Sequence, residues 1–363
     1  MTDTPNITQV EIPFLPATFN FTDGHAHRKW TPPELKAVKR VVGNIESLTR
    51  EDQPALEGAY LDALFAIGSK SRALESWICT SASQAIEIIA NLLRLQSRRR
   101  VALVEPCFDN LADIFRRHDA ILHPIPDDAY GSSDVYKQLP QDLDACCLVS
   151  PNNPTGSVLT REDLPLIVEH CEATGAVLII DSCFRAFDPN DDVDLYSLLS
   201  TAKCDWAIIE DTGKTWPTLE LKGPVLTVSP SIRDLAHRIH TDMTLHASPL
   251  TLALLTGILA TNATGGLDEI RGLVRDNRDQ LAKALGERYP ITSAPFMSVA
   301  WVATEPLSGG EFTEALASQE VHVLPGRRFF WTDKGDVPLV RVALNRDREK
   351  FVEAALRIRR ALS

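Results

Sequence analysis

The sequence lacks the segments that direct proteins into membranes or out of the cell. Its first residues do not show the basic and apolar regions of a signal peptide, and no apolar run is long enough to cross a bilayer. The seven cysteines form no C-x-x-C pair and no zinc-ligand spacing, and most lie in apolar runs where free thiols are usually buried. We therefore expect a cytoplasmic protein with reduced cysteines.

Positive charge is also scarce, since 37 Lys and Arg face 49 Asp and Glu, giving a net charge of -12. This balance, without a basic extension, argues against nucleic acids and anionic membranes as partners. The sequence has no G-x-G-x-x-G motif and no spacing of two histidines with a carboxylate, so neither a flavin nor a metal is expected.

Short apolar runs alternate with amphipathic stretches between about residues 52 and 230. Several runs are apolar on both faces, as in a parallel sheet covered by helices, and this predicts an α/β doubly wound fold. The predicted strands are 76–80, 101–105, 146–149, 176–181, 206–210 and 225–228. The predicted helices between them include 84–96, 110–118 and 161–172.

The pattern changes after about residue 235. Two long helices, three alternating runs and a closing helix are predicted there, at 250–259, 267–285, 298–303, 321–324, 339–344 and about 348–362. A chain of 363 residues commonly divides into more than one domain. We predict an N-terminal arm or lid at 1–40, a large domain at 41–235 and a small α+β domain at 236–363.

Lys214 is the most informative single residue. It lies in the stretch Glu-Asp-Thr-Gly-Lys-Thr-Trp-Pro at 210–217, directly after an apolar strand. At the end of a buried strand an amine is costly as a charge, and in its neutral form it attacks an aldehyde to give an imine. Lys214 therefore indicates an aldehyde cofactor, provided that the sequence supplies the other parts of such a site.

Other polar residues follow predicted strands, where ligands of these sheets bind. Asn153, in the tight turn at 151–156, can point its amide at a cofactor oxygen. Asp181 ends a strand and needs a partner, such as the pyridinium N–H of pyridoxal phosphate (PLP), which a negative carboxylate would keep protonated. A plain loop and a helix N-cap are the alternative interpretations of these two residues.

Three further signals fit a phosphorylated amino-acid site. Ser81, Ala82 and Ser83 open a helix whose free N–H groups can bind phosphate, with Lys222 adding a charge, although serine N-caps are common. Phe108 can stack on a pyridine ring or simply pack in the core. Arg341, inside an apolar strand, needs an anion, which is either a substrate carboxylate or a structural acid.

Together, the order and spacing of these residues resemble the fold-type I PLP enzymes of the class I and II aminotransferase family over nearly the whole chain. The resemblance implies that Asn153 and Asp181 hold the ring, that Lys214 forms the imine with PLP, and that Arg341 binds the α-carboxylate of an amino acid. It also implies a homodimer with shared active sites.

Four positions depart from ordinary aminotransferases. Phe184 replaces a tyrosine that donates to the phenolic oxygen of PLP, and Cys183 is only a weak substitute. Asp211 replaces a phosphate-binding serine, and since a carboxylate repels phosphate we expect it to face a cationic substrate. Lys222 replaces a phosphate-binding arginine, and Ala82 replaces a glycine.

With these departures the sequence is similar to a narrower group, the O2-using, PLP-dependent L-arginine oxidases and 4-hydroxylases of natural-product pathways. That group has serine at the position of Cys183, so the tuning of the phenolic oxygen is expected to differ. The matching stretches are 6–9, 11, 23–26, 108–110, 181–188, 210–217, 219–222 and 248–250.

The same resemblance implies roles for the arm. Glu11 and Asp211, with Thr8, would bind the planar guanidinium of the substrate, and Asp23 would also bind substrate. His25 would lie over the active site and act in catalysis or gating. Without the resemblance, His25 is best interpreted as a solvated residue and Glu11 as an exposed charge.

The implied reaction is PLP- and O2-dependent oxidation of L-arginine. Lys214 would remove the α-proton, and O2 would take the electrons, giving ammonia, peroxide and either 2-ketoarginine or 4-hydroxy-2-ketoarginine. No residue indicates where water adds, so oxidation, desaturation and hydroxylation stay open. The alternatives are an aminotransferase for arginine or another basic amino acid, and a PLP-binding regulator, against which Lys214 and Asp181 argue.

Overall fold

The computed structural model describes residues 5–68, 70–71, 75–131, 135–188, 193–218 and 220–363. Its helices are α1 (Ile7–Glu11), α2 (Pro32–Gly43), α3 (Gln53–Phe65), α4 (Ala82–Leu95), α5 (Asp109–Arg117), α6 (Asp163–Thr174), α7 (Leu195–Leu199), α8 (Arg233–Met243), α9 (Pro249–Leu259), α10 (Gly266–Leu285), α11 (Gly309–Ala317) and α12 (Arg348–Leu362). Its strands are β1 (Phe19–Asn20), β2 (Ser76–Ile78), β3 (Arg100–Glu105), β4 (Ile121–Pro126), β5 (Ala145–Val149), β6 (Val177–Asp181), β7 (Trp206–Glu210), β8 (Val225–Val228), β9 (Val299–Ala303), β10 (Val321–His322), β11 (Leu324–Pro325) and β12 (Leu339–Ala343).

The central sheet has seven strands in the order β2-β8-β7-β6-β5-β3-β4 within the described residues. The five strands β3 to β7 run parallel, while β8 pairs antiparallel with β2 and β7. Strands β5, β7 and β8 are buried along their whole length, as expected for strands covered by helices on both faces. The predicted α/β class is confirmed.

The six strands predicted for this sheet are present with shifts of one or two residues at their ends. Strand β4 was not predicted. It forms one edge of the sheet and is mostly exposed, and it contains Pro124 and Pro126. Proline is tolerated at a sheet edge because no neighbour requires its missing N–H, so the apolar pattern that marks buried strands is absent there.

Beyond α10, strands β11, β12 and β9 form an antiparallel sheet. The strand predicted at 321–324 was wrong as a single element. Its first part, β10, pairs in parallel with β1 of the arm, and the following β11 pairs with β12. The two short strands belong to different sheets. Apolar alternation along the sequence does not indicate which partner a strand pairs with.

The arm is more structured than the predicted lid. Its β1 pairs with β10, and α2 runs across residue 40, where the arm was predicted to end. Helix α2 begins at a capping box, in which the Thr31 hydroxyl accepts from the Glu34 N–H and the Glu34 carboxylate accepts from the Thr31 N–H. The division into domains stays a prediction.

Most of the buried apolar side chains form one continuous core around both larger sheets. A separate small cluster contains Ile7 of α1 with Trp301, Leu324 and Phe329. Within the described ranges no single helix is both long and apolar enough to cross a membrane. The segments Pro249–Ala263 and Gly266–Leu285 meet that test only together, across a bend of 83°.

Candidate active site

A cavity of about 360 Å³ lies at the carboxyl ends of the parallel strands, beneath the arm. Every residue that the sequence predicted to bind cofactor or substrate, or to act in catalysis, lies in its wall. These residues are Thr8, Glu11, Asp23, His25, Ser81, Ala82, Ser83, Phe108, Asn153, Asp181, Cys183, Asp211, Lys214, Lys222 and Arg341. The structure therefore brings together side chains that are far apart in sequence, and their individual roles remain predictions.

The central sheet positions one side of the cavity. Asp181 is the last residue of β6, Asp211 directly follows β7, and Phe108 and Asn153 follow β3 and β5 within a few residues. Because parallel strands end at the same edge of a sheet, these four side chains meet there.

Lys214 faces a histidine of the arm. Its Nζ lies 3.3 Å from Nε2 of His25. A Cβ placed on Gly213 would lie 3.0 Å from Cδ2 of His25, so glycine at this position allows the ring its close approach. Asn345 donates to the carbonyl oxygen of Lys214 at 3.0 Å and holds the backbone of this turn.

Asp23 binds two histidines at once. Its Oδ1 accepts from Nδ1 of His25 and its Oδ2 accepts from Nε2 of His27, each at 2.6 Å. Burial raises the pKa of Asp23, but the hydrogen bonds from His25 and His27 outweigh it and bring this pKa well below its ordinary value. An ionised Asp23 accepts from the Nδ1 N–H of His25, which leaves Nε2 as the ring nitrogen that faces Lys214.

Asp23 was predicted to bind substrate, but both of its carboxylate oxygens already accept hydrogen bonds from histidines. Arg346, which the sequence analysis did not select, donates to the carbonyl oxygens of His25 at 2.8 Å and of Asp23. These contacts fix the arm backbone at this point. The stretch 23–27 therefore acts in the structure as a support for His25.

Asp181 is a half-buried carboxylate at the cavity wall. Burial raises its pKa above the ordinary value, and Cys183 opposes the shift by hydrogen bonds, including its backbone N–H at 3.0 Å. Burial also raises the pKa of the Cys183 thiol well above its usual range, so this side chain is a neutral and weak donor. A cationic partner such as a pyridinium N–H would favour the ionised form of Asp181.

The N-terminus of α4 also lines the cavity, through Ser81, Ala82 and Ser83. Ser81 caps the helix by accepting from the Gln84 N–H at 3.0 Å, and Ser83 accepts from Asn110 at 2.7 Å. Free N–H groups at the start of a 14-residue helix favour an anion. Lys222 lies in the same wall, with its Nζ 3.2 Å from Oε2 of Glu220.

Glu11 and Arg341 form an ion pair across the cavity roof, with 3.0 Å between Oε1 and Nη2. Arg341 is 1% exposed, and its guanidinium also contacts Asn153 at 3.4 Å and the carbonyl oxygen of Thr22. Its Nε is buried without a hydrogen-bond partner among the described residues. Burial raises the pKa of Glu11 to about 7, although Arg341 partly opposes this shift.

The amino-acid sequence of residues 43–358 matches the family described as aminotransferase class I and II. The chain belongs to this family. The solved structure of MppP soaked with the product 2-ketoarginine has a TM-score of 0.86 and 33% sequence identity, and the match covers 94% of this chain and 98% of that one. The putative aminotransferase YugH of Bacillus subtilis (strain 168) is 23% identical over 297 residues, which are 78% of this chain and 75% of YugH.

A more distant family structure, YbdL from Escherichia coli, was reported with a methionine aminotransferase function. It has a TM-score of 0.80 at 17% identity, covers 99% of this chain and 97% of its own, and shows the fold alone. The aminotransferase family consists of fold-type I PLP enzymes, so the predicted fold type is confirmed.

The cavity fits PLP by the chemistry of its groups. The cavity lining offers an amine on Lys214, a half-buried carboxylate on Asp181, the N-terminus of α4 and a second amine on Lys222. These are the groups that an aldehyde, a pyridinium nitrogen and a phosphate require. The protein is therefore a PLP-dependent, aminotransferase-like enzyme.

Three residues that support the site were not predicted from the sequence. His27 and Arg346 hold the Asp23 segment, and Asp109 binds the backbone of α1. Asp109 lies in the recognised stretch 108–110, which was the only available signal for it. The other two become visible only when the arm and the segment after β12 are brought together.

Proposed function

We propose that this enzyme oxidises L-arginine with PLP and O2. The supporting observation is that Asp211 and Glu11 line the same cavity as Lys214 and Arg341. An amino acid that reaches Lys214 with its α-carbon would meet a guanidinium for its carboxylate and two carboxylates for a cationic side chain. The 33% identity to MppP, whose structure was soaked with 2-ketoarginine, agrees with such a substrate.

Arg341 is the proposed ligand of the substrate α-carboxylate. Its Nε is buried without a partner among the described residues, and a guanidinium binds a carboxylate best through two parallel hydrogen bonds. The Phe329 ring lies 5.1 Å from the guanidinium and keeps water away from one face.

Asp211 and Thr8 are proposed ligands of the substrate guanidinium, together with Glu11, whose ion pair with Arg341 the substrate α-carboxylate would replace. Asp211 is held near Lys214 because its Oδ1 accepts from the Gly213 N–H at 3.1 Å. A carboxylate oriented by the backbone matches the planar donors of a guanidinium better than the single charge of an ammonium. Arginine is therefore proposed in preference to lysine.

Lys214 and His25 are the proposed proton-handling pair. Lys214 would hold the cofactor covalently and, once released by the substrate amine, remove the α-proton. Nε2 of His25 presents its lone pair 3.3 Å from Nζ and can accept a proton from the resulting ammonium. Asp23 would stabilise the imidazolium that forms.

Bound PLP would supply the electron-withdrawing ring that accepts the electrons of the α-carbon, and Asp181 would keep its nitrogen protonated. For simple oxidation, arginine, O2 and water give 2-ketoarginine, ammonia and hydrogen peroxide. For the 4-hydroxylated keto acid, a second O2 and a second water are consumed and a second peroxide is formed. The oxygen at C4 would then come from water.

An aminotransferase acting on arginine or another basic amino acid is the second candidate. The family match and the YugH similarity favour it, because both are described as aminotransferases. It uses the same Lys214, Asp181 and Arg341, and differs only in where the electrons go. We also propose that the enzyme is a homodimer, which light scattering of the purified protein would test.

The deciding experiment mixes PLP-loaded enzyme and L-arginine without a keto-acid acceptor. Oxygen uptake with release of ammonia and peroxide is expected, and mass spectrometry should show 2-ketoarginine or a product heavier by one oxygen atom. PLP-loaded K214A is the control and should release neither. Turnover that appears only after 2-oxoglutarate is added would reject the oxidase in favour of the aminotransferase.

A further inference from the structure

Three contacts that lie outside the cavity hold helix α1 in place. The Ile7 N–H donates to Oδ2 of Asp109 at 2.7 Å, and Nη1 of Arg328 donates to the carbonyl oxygen of Pro5 at 2.6 Å. The Ile7 side chain is fully buried against Trp301, Leu324 and Phe329. We call Asp109, Arg328 and these three apolar residues the α1 seat.

The α1 seat determines which way the helix faces. Ile7 is the first residue of α1, and a helix turns by about 100° per residue. Anchoring both the backbone and the side chain of Ile7 therefore leaves Thr8 and Glu11, one and four positions later, on the side that lines the cavity. A helix of five residues is too short to hold this orientation by itself.

Asp109 is well suited to this contact. It is the first residue of α5, where a carboxylate is favoured by the helix dipole, and its Oδ1 is buried without a hydrogen-bond partner among the described residues. The residue before it, Phe108, lines the cavity and also packs against the Ile7 cluster. The loop that contributes Phe108 to the proposed ring site thus also holds the arm.

The α1 seat is linked to the carboxylate site as well. Phe329 packs edge-on against Trp301 with 5.3 Å between ring centroids, and its ring also lies 5.1 Å from the Arg341 guanidinium. The Ile7 cluster therefore lies between the seated helix and the proposed ligand of the α-carboxylate.

We propose that Asp109 and Arg328 are positioning residues that seat α1 and thereby set the affinity of the site for the substrate side chain. This inference rests on the proposed function for the identity of the substrate, but the seating itself does not. Neither residue lines the cavity, so neither is expected to affect cofactor loading directly.

The seating is tested on the PLP-loaded enzyme by limited digestion with a glutamate-specific protease. Release of the peptide 1–11 is followed by mass spectrometry, since the Glu11 side chain that the protease must bind is buried while α1 is seated. D109A should speed this cleavage by about ten- to hundredfold, because a hydrogen bond to a charged acceptor is lost. D109N, whose amide oxygen can still accept from Ile7, should show a smaller effect.

D113A is the matched control. Asp113 lies one turn further along α5 and makes no hydrogen bond to α1 among the described residues. R328Q provides a second test if D109A does not fold. Cleavage rates of D109A and R328Q within about twofold of wild type, or an equal acceleration in D113A, would overturn the proposal.

The consequence for binding is tested with arginine as substrate. D109A should raise KM by about tenfold and change kcat by less than about threefold, because only the fraction of enzyme with α1 seated binds productively. The absorption of the Lys214-bound cofactor should be unchanged. Faster cleavage of D109A with an unchanged KM would also overturn the proposal. A wild-type enzyme that does not oxidise arginine would instead refute the proposed function, and the digestion experiment alone would then test the seating of α1.

Discussion

The two sides of the cavity are built in different ways. On the cofactor side, Asp181 ends one strand of the central sheet and Lys214 follows the next, so the backbone hydrogen bonds of the sheet hold both in place. On the arm side, Glu11 and His25 are held largely by side-chain contacts, with Arg341 and with Asp23. The backbone hydrogen bonds of a sheet do not depend on any one side chain, whereas a charged contact depends on each partner and on its protonation.

This difference separates two properties of the enzyme. The cofactor side contains the groups that any PLP-dependent family member requires, and the arm side carries the charges proposed to select the substrate. We therefore expect substitutions on the cofactor side to abolish chemistry, and substitutions on the arm side to alter affinity, pH dependence and stability. The following predictions test that separation.

K214A should cause the largest loss, at least about a thousandfold in kcat, because it removes both the covalent link to PLP and the base. Absorption spectroscopy should show that the band of the lysine-bound cofactor is lost. K214R, which keeps a positive charge but forms no such link, should be equally inactive. Residual turnover in K214R comparable to wild type would contradict the role of this amine.

Glu11 should make stability depend on pH. Its pKa is 4.5 ordinarily and about 7 in the folded protein, so the folded state binds this proton more tightly than the unfolded state. The stabilisation is complete below about pH 4.5 and is lost as pH rises to about 7, by about 3 kcal/mol. Urea unfolding at several pH values should therefore show wild type losing stability relative to E11Q over this range, and parallel curves would refute the shift.

D211S should weaken arginine binding by about ten- to hundredfold, since a charged hydrogen bond to the guanidinium would be lost. The lysine-bound cofactor should keep its absorption band, because Asp211 is not proposed to hold PLP. The measurement is a titration of that band with arginine, with norvaline as the uncharged comparison. Equal affinity of D211S and wild type for arginine would remove Asp211 from the proposed substrate site.

D23N and H27Q should have the smallest effects, and they should differ. D23N removes the carboxylate that orients His25, and we expect kcat to fall by about tenfold. H27Q removes only the outer partner of Asp23, so a loss of about threefold or less is expected. His27 is 41% exposed at its side chain, which agrees with a minor role. A larger loss in H27Q than in D23N would show that Asp23 does not act through His25.

Much of the fold was predictable because buried parallel strands appear in the sequence as short runs that are apolar on both faces. The runs at 146–149, 206–210 and 225–228 are apolar on both faces and appear in the structure with nearly the same bounds. Strand β4 was missed because it is an exposed edge, and the strand at 321–324 was wrong because pairing partners, not local pattern, divide it.

The candidate site shows the same division. Most residues on the cofactor side were predictable because they follow strands or open a helix. Thr8, Glu11, Asp23 and His25 of the arm were implied only by the family resemblance, and both groups line one cavity. Their partners were not predictable. Glu11 pairs with Arg341 across 330 positions, and Asp23 turns towards His25 and His27.

The sequence by itself determined the α/β class, the family and many of the residues in the cavity, because strand ends and short motifs are local features. Only the tertiary structure decided which charges meet and which residues seat the arm. Those contacts depend on how the segment before α2 crosses β12 and the start of α5. Local sequence carries no information about that crossing, since a buried carboxylate is satisfied equally well by a substrate, a histidine or a backbone N–H.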